Sequence, residues 1–139
     1  MKVAGKIILI DDNEFEKELL IKSLKKLNWD IKVEHFSNPI TVLNYLKETK
    51  EKIFLIISDV NMPQMSGIEL KKAIDDDREL KLKAIPFIFS STSPTLTEMR
   101  EAYDYGVQGF FKKPGDLKGM TEMFDTIIKY WIICLHPNK

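Results

Sequence analysis

Five side chains in this sequence could do chemistry together, because each stands at the end of a short apolar run. Asp11 and Asp12 follow Ile7-Ile8-Leu9-Ile10, Asp59 follows Ile53-Phe54-Leu55-Ile56-Ile57-Ser58, Ser91 follows Ile85-Pro86-Phe87-Ile88-Phe89-Ser90, and Lys113 follows Gly109-Phe110-Phe111-Lys112. Carboxylates crowded together repel, so a proton or a cation must neutralise them. The set offers oxygen donors and neither His nor Cys, which favours a hard cation. Mg²⁺ suits a site of few carboxylates completed by waters and a phosphate. A lysine adds a fixed positive charge. Such a set can hold a transferring phosphoryl group: the cation and Lys113 offset charge on its oxygens, Ser91 donates a hydrogen bond, and one carboxylate attacks to give an aspartyl phosphate. Asp59 is expected to be the chemical centre; the bland alternative is an Asp that caps the following turn.

The elements that must carry these residues are legible in order. Ile53 to Ile57 reads as a strand buried on both faces. Met62-Pro63 and Ser66-Gly67 supply turn chemistry before a helix marked by Ile68, Leu70, Ala73 and Ile74. Upstream, Ile7 to Ile10 is a short buried strand, Asn13 a helix cap, and Phe15 to Leu27 an amphipathic helix with Leu20, Leu24 and Leu27 on its buried face. Ile31 to Phe36 alternates, as an edge strand does, and His35 is expected to be structural. Ser37-Asn38-Pro39 opens a second helix carrying Val42, Leu43 and Leu46, closed by the charged stretch Lys47 to Lys52. The third helix should fray into Asp75-Asp76-Asp77. A solvated loop is expected there rather than a metal site, because no calcium-loop pattern follows. Beyond the strand Ile85 to Phe89, Thr95 and Glu98 have capping-box spacing for a helix running to about Tyr105 and Gly106. Gly109 to Lys112 is a fifth strand. A last helix opens near Asp116, carries Met120, Phe124, Ile127, Ile128, Trp131 and Ile132, and is ended by Lys129 and the tail Pro137-Asn138-Lys139. Strand and helix alternate five times. That pattern predicts an α/β domain: a parallel sheet with helices on both faces and right-handed crossovers. Ligands of such sheets bind beyond the carboxyl ends of the strands, so all five reactive residues should share one rim.

Composition narrows the function classes. With 139 residues, 44% hydrophobic and 30% charged, the chain should form a single domain with one core. Its 21 basic and 21 acidic residues cancel, leaving no global excess of positive charge for a dedicated nucleic-acid binder. No apolar run approaches the roughly 20 residues needed to span a bilayer. The start, Met-Lys-Val-Ala-Gly-Lys, leads straight into a strand and does not resemble a signal peptide. A lone Cys134, expected as a small apolar residue on the last helix, fits a reducing, cytoplasmic setting.

Asp11-Asp12, the run Ser58-Asp59-Val60-Asn61-Met62-Pro63-Gln64-Met65-Ser66-Gly67, Ser91 and Lys113-Pro114 together resemble the receiver domain of bacterial two-component response regulators, of the chemotaxis type that stands alone. The resemblance runs from Lys6 to about Cys134. It implies a flavodoxin-like, doubly wound (βα)5 sandwich with parallel sheet order 2-1-3-4-5. Residues 1–139 would form a single receiver domain, with a core of about 6–134 and no output domain. Asp59 would accept a phosphoryl group from a phosphohistidine on a sensor histidine kinase or histidine phosphotransfer protein. Asp12, Asp59 and the backbone carbonyl of Asn61 would bind Mg²⁺, with Asp11 helping through water, while Ser91 and Lys113 would engage the phosphate.

The same resemblance makes Ser91 and Phe110 a switch and matches Pro114 to the family's cis-proline position. Phosphorylation would draw Ser91 inward and let Phe110 turn in. That would remodel the face of the fourth helix, fifth strand and last helix, where Met99, Tyr103, Trp131 and Ile132 lie, for a downstream protein target. Asn61 and Ser93 would gate the water that hydrolyses the acyl phosphate. The implied protein is a phosphoacceptor with slow self-dephosphorylation rather than a turnover enzyme. It would be a monomer or a phosphorylation-dependent dimer, without direct contact to nucleic acid or insertion into a membrane. Two departures from the family pattern stand out: Ser91 lacks the methyl of the commoner Thr, and Phe110 lacks a phenolic oxygen. The rival readings are a Mg²⁺-dependent phosphohydrolase with an aspartyl nucleophile and an adaptor that is never phosphorylated. Against the hydrolase, Asn61 stands where an acidic proton donor would be wanted, and nothing in the chain forms a substrate cap.

Overall fold

A computed structural model of the chain describes residues 2–137. Met1, Asn138 and Lys139 lie outside the described residues, and with them the limits of the 1–139 domain and most of the expected helix-ending tail. The elements are β1 (Lys2–Ile10), α1 (Glu14–Lys26), β2 (Asp30–Phe36), α2 (Pro39–Glu48), β3 (Ile53–Ser58), α3 (Gly67–Asp76), α4 (Arg78–Leu82), β4 (Phe87–Ser91), α5 (Leu96–Asp104), β5 (Gly109–Lys112) and α6 (Leu117–Ile133). The strands are all parallel, in the order β2-β1-β3-β4-β5. This is the flavodoxin-like doubly wound arrangement, and its order reverses between β1 and β3.

The period of two along each strand builds two cores from one sheet. Ile8 and Ile10 of β1, Ile56 of β3, and Phe87 and Phe89 of β4 pack against Val42 and Leu46 of α2, Leu70 of α3 and Ala102 of α5. Ile7, Leu9, Leu55, Ile57 and Ile88 face the other way, onto Leu20 and Leu24 of α1 and Phe124, Ile127 and Ile128 of α6. Every residue of β3 is buried, as its unbroken apolar run requires. The helix starts follow the expected chemistry. The Asn13 side chain accepts from the Phe15 N–H at 3.0 Å. Reciprocal capping boxes, Ser66 with Glu69 and Thr95 with Glu98, open α3 and α5.

Several details depart from the sequence reading. Asp75 and Asp76 belong to the last turn of α3, and Asp75 pairs with Lys71 at 2.6 Å. Asp77 caps the short extra helix α4 by accepting from the Leu80 N–H at 3.1 Å. Leu80, buried to 3% exposure, pins that turn to the core, so the triad is not a solvated loop. β1 begins at Lys2, before its apolar run, because Gly5 takes φ +91° at a register shift and Lys6 then pairs with Glu34 at 3.2 Å and Glu51 at 2.8 Å. β4 spans Phe87–Ser91, so Ser90 and Ser91 belong to the strand. Finally, no described peptide bond is cis, so Lys113–Pro114 is trans. Cys134 stands at the C-cap of α6, just past the helix. Among the described residues no helix is long and apolar enough to cross a membrane.

Candidate functional site

The carboxyl ends of β1, β3, β4 and β5 are tied in pairs by their last backbone bonds. The Asp59 N–H donates to the Ile10 carbonyl at 2.8 Å, and the Lys113 N–H donates to the Ser91 carbonyl at 2.8 Å. A chain leaving the sheet at these points has its next side chain aimed at the rim. There, carboxylate oxygens of Asp11, Asp12 and Asp59 lie within 4.8 Å of one another. Asp11 is buried, Asp59 partly so, and Asp12 exposed. The ammonium of Lys113, whose side chain is only 10% exposed, reaches in from beyond β5. Its Nζ lies 2.9 Å from Asp11 Oδ2, 3.4 Å from Glu16 Oε1 and 3.9 Å from Asp59 Oδ2. Asp11, Asp12, Asp59 and Lys113 are thus brought together as their positions in the sequence predict.

The two oxygens of Asp59 are inequivalent. Oδ1 accepts from the Val60 N–H at 2.7 Å, while Oδ2 faces Lys113. Burial pushes the Asp59 carboxyl above the ordinary carboxylate range and the negative charge of Asp11 adds to the rise; Lys113 and the N–H groups of Val60 and Asn61 oppose it. For Lys113, burial disfavours the ammonium. The hydrogen bond to Asp11 and the charges of Asp11, Asp59 and Glu16 more than offset this and raise its pKa. The site therefore holds a permanent cation and still leaves Asp59 short of positive charge. Three converging carboxylates of this kind, all oxygen donors, fit a hard divalent cation.

Ser91 ends β4, is buried at 1% exposure and lies beside Lys113 through the backbone bond above. Asn61 is exposed in the loop after β3 and turns its N–H toward the Asp59 carboxylate. Phe110 is half buried. Its ring centroid lies 5.7 Å from that of Phe89, and its other side borders a groove with Tyr103, Tyr130 and Trp131. Gly67 closes the loop by donating to the Val60 carbonyl at 2.7 Å. A Cβ there would overlap the Asp59 carbonyl oxygen and lie 2.6 Å from the Phe89 ring, so the glycine of the Asp59 motif is required by close approach.

Two contributors were not anticipated. Glu16, in the first turn of α1, lies off the Leu20-Leu24-Leu27 stripe that marks that helix in the sequence, yet it is an ion-pair partner of Lys113. His35 keeps the structural role expected of it, but its target is the site: its Nε2 lies 2.7 Å from the Asp11 carbonyl oxygen. Alternation along β2 marks the side on which His35 lies and carries no signal of that partner.

Residues 7–125 match the family model of the response regulator receiver domain, and the chain belongs to that family. Chemotaxis protein CheY-3 of Vibrio cholerae serotype O1 is 29% identical over 124 residues, covering 89% of this chain and 92% of CheY-3. Among solved structures, the phosphorylated cyanobacterial phytochrome response regulator RcpA aligns with a TM-score of 0.83 at 24% identity, covering 94% of this chain and 96% of RcpA. The receiver domain of the sensor histidine kinase PA1611 of Pseudomonas aeruginosa PAO1, which has a magnesium ion coordinated in its active-site cleft, aligns at 0.72 with 16% identity over 94% of this chain and 98% of that one. The protein is accordingly a two-component response regulator receiver.

Proposed function

We propose that Asp59 is the phosphoacceptor of this receiver, taking its phosphoryl group from a phosphohistidine on a sensor histidine kinase or histidine phosphotransfer protein. The observation that carries the reading is the convergence of the Asp11, Asp12 and Asp59 carboxylates at the sheet rim, with the Lys113 ammonium against Asp11 and Asp59. In the transfer, Asp59 Oδ2 bonds to phosphorus as the phosphorus–nitrogen bond breaks; the electron pair leaves with the donor imidazole, which takes up a proton. Lys113 offsets the charge that gathers on the phosphoryl oxygens, and the Ser91 hydroxyl donates to one of them. Asp12, Asp59 and the Asn61 carbonyl, with Asp11 through water, would hold Mg²⁺, which when bound supplies further positive charge to the same oxygens. Water attack on phosphorus, gated by Asn61 and Ser93, returns the carboxylate and releases phosphate, so the protein undergoes slow self-dephosphorylation and is not a turnover enzyme.

The readout of the phosphorylated state is a change of packing. Ser91 moves toward the phosphate, Phe110 turns in against Phe89, and the face of α5, β5 and α6 changes for a downstream protein target. Met99 and Tyr103 are exposed on α5, and Trp131 is half buried on α6 beside Phe110, which supports that face as the docking surface. The protein would work in the cytoplasm, as a monomer or a phosphorylation-dependent dimer, without binding nucleic acid itself. Intact mass after incubation with acetyl phosphate and Mg²⁺ tests the assignment: wild type gains one phosphoryl group and Asp59→Asn gains none. Equal labelling of both proteins would remove Asp59 from this role.

A further inference from the structure

Lys113 is shared unequally. Its ammonium is within hydrogen-bonding distance of Asp11, 3.4 Å from Glu16 and only 3.9 Å from Asp59, the group it would serve. Glu16 is delivered by a rigid start to α1: its N–H donates to the Asn13 carbonyl at 3.1 Å, while the Asn13 side chain caps the turn. Helix electrostatics alone do not explain its direction. An acid anywhere in the first turn satisfies the positive end of the helix, and Glu14 already does so from an exposed position. Glu16 instead turns inward until its side chain is only 15% exposed. Nor is it one of the three carboxylates whose oxygens converge as a cation site. Its contact in the site is with the lysine.

We propose that Glu16 is a positioning residue for phosphoryl transfer, which draws the Lys113 ammonium away from Asp59 and thereby slows phosphorylation. This rests on the assignment of Asp59 as phosphoacceptor. As charge builds on the transferring phosphoryl oxygens, the Lys113 ammonium moves toward it against the pull of its carboxylate partners. Asp11 is buried and holds the lysine by a hydrogen bond at 2.9 Å, so the adjustable partner is Glu16, more exposed and farther from the ammonium at 3.4 Å. Neutralising Glu16 leaves Lys113 fewer competing anions and brings it closer to Asp59 before the donor arrives. The polar amide of Gln keeps the shape of the side chain, so the change is one of charge rather than packing.

The test is the rate of Asp59 phosphorylation by acetyl phosphate, followed by intact mass across a Mg²⁺ titration, in wild type, Glu16→Gln and Glu16→Asp, with folding of each checked by circular dichroism. A partly exposed ion pair lost from the ground state corresponds to a gain of about two- to fivefold in the maximal rate. That gain is expected for Glu16→Gln at saturating Mg²⁺, with the half-saturating Mg²⁺ concentration little changed and Glu16→Asp close to wild type. An unchanged or lower maximal rate in Glu16→Gln overturns the proposal. So does an effect confined to the half-saturating Mg²⁺ concentration, which would make Glu16 a contributor to the cation site, or an equal gain in Glu16→Asp, which would make it a packing effect. The two readings fail differently: a wild type that takes up no phosphoryl group sinks the Asp59 assignment, whereas a labelled wild type with an indifferent Glu16→Gln sinks the role of Glu16 alone.

Discussion

Replacing Lys113 by Met removes the one ammonium seated among Asp11, Glu16 and Asp59 while keeping most of its apolar stem. At 2.9 Å the attraction between Lys113 and Asp11 is about 6 kcal/mol for an effective dielectric near 20, most of which offsets the cost of taking both groups out of water. What the variant exposes is the asymmetry: deleting one partner of a buried pair costs about 3–5 kcal/mol, because the other charge stays buried. The Asp11 side chain is 4% exposed and keeps a hydrogen bond from the Asn13 N–H at 2.9 Å, which points to the lower end, about 3 kcal/mol. For a domain of this size that is a fall in Tm of about 6–12 °C.

Urea unfolding of both proteins at several pH values, with and without Mg²⁺, measures the deficit. Asp59 already titrates above its usual range, and Lys113 is the largest influence holding it down, so its pKa rises further in the variant. A carboxyl whose folded pKa exceeds the unfolded value of about 3.9 binds protons more tightly when folded. Its cost is therefore absent below that value and complete above the folded pKa. The deficit of Lys113→Met should be full at neutral pH and shrink as the pH falls through the folded pKa of Asp59. A cation bound only by the folded state adds about 2.7 kcal/mol at a hundredfold excess over its Kd, and Mg²⁺ should stabilise the variant more than wild type because without the Lys113 ammonium the same three carboxylates keep more uncompensated negative charge. A variant within about 1 kcal/mol of wild type at neutral pH would refute the reasoning, since a broken buried pair costs more than that. A deficit that does not change with pH would do so as well.

Two further outcomes follow from the same geometry. Asp59→Asn should be more stable than wild type at neutral pH, because it deletes a carboxylate whose burial and Asp11 neighbour raise its pKa, and the difference should vanish as the pH falls toward the unfolded carboxylate value of about 3.9. Equal stability at all pH values in urea titrations would show that the charge of Asp59 costs the fold nothing. Gly67→Ala should lose about 3 kcal/mol, the upper end for overpacking, since the obstructing atom is the backbone oxygen of Asp59 rather than a mobile side chain. It should also slow labelling by displacing that residue, and a fully stable Gly67→Ala would show that the loop yields freely.

Much of the architecture is legible in the sequence alone. Apolar runs of five or so residues, alternating with amphipathic stretches, define parallel βα units, and β5 spans the same Gly109–Lys112 residues that its pattern marks. The caps at Asn13, Asn38, Thr95 and Asp116 were readable because each acts on a backbone N–H two or three residues away. Helix α4 was not, because a five-residue element held by one buried residue, Leu80, is too short to show a period. The early start of β1 was hidden for a related reason. Lys2 to Lys6 lack an apolar run, and what holds Lys6 at the strand is its pairing with Glu34 and Glu51, which come from other elements.

The division at the site is sharper. By itself the sequence determined which side chains stand at strand ends, and hence that the three acids and a lysine would meet at one rim, since side-chain direction and crossover handedness are local rules repeated along the chain. Only the tertiary structure decided how their charges balance: that Lys113 sits nearest Asp11, that Glu16 also pairs with it, that His35 meets the Asp11 carbonyl, and that burial and Asp11 raise the pKa of Asp59 against the pull of Lys113. Attraction and desolvation depend on distance and burial among residues far apart in the chain, and neither quantity is written in spacing along it.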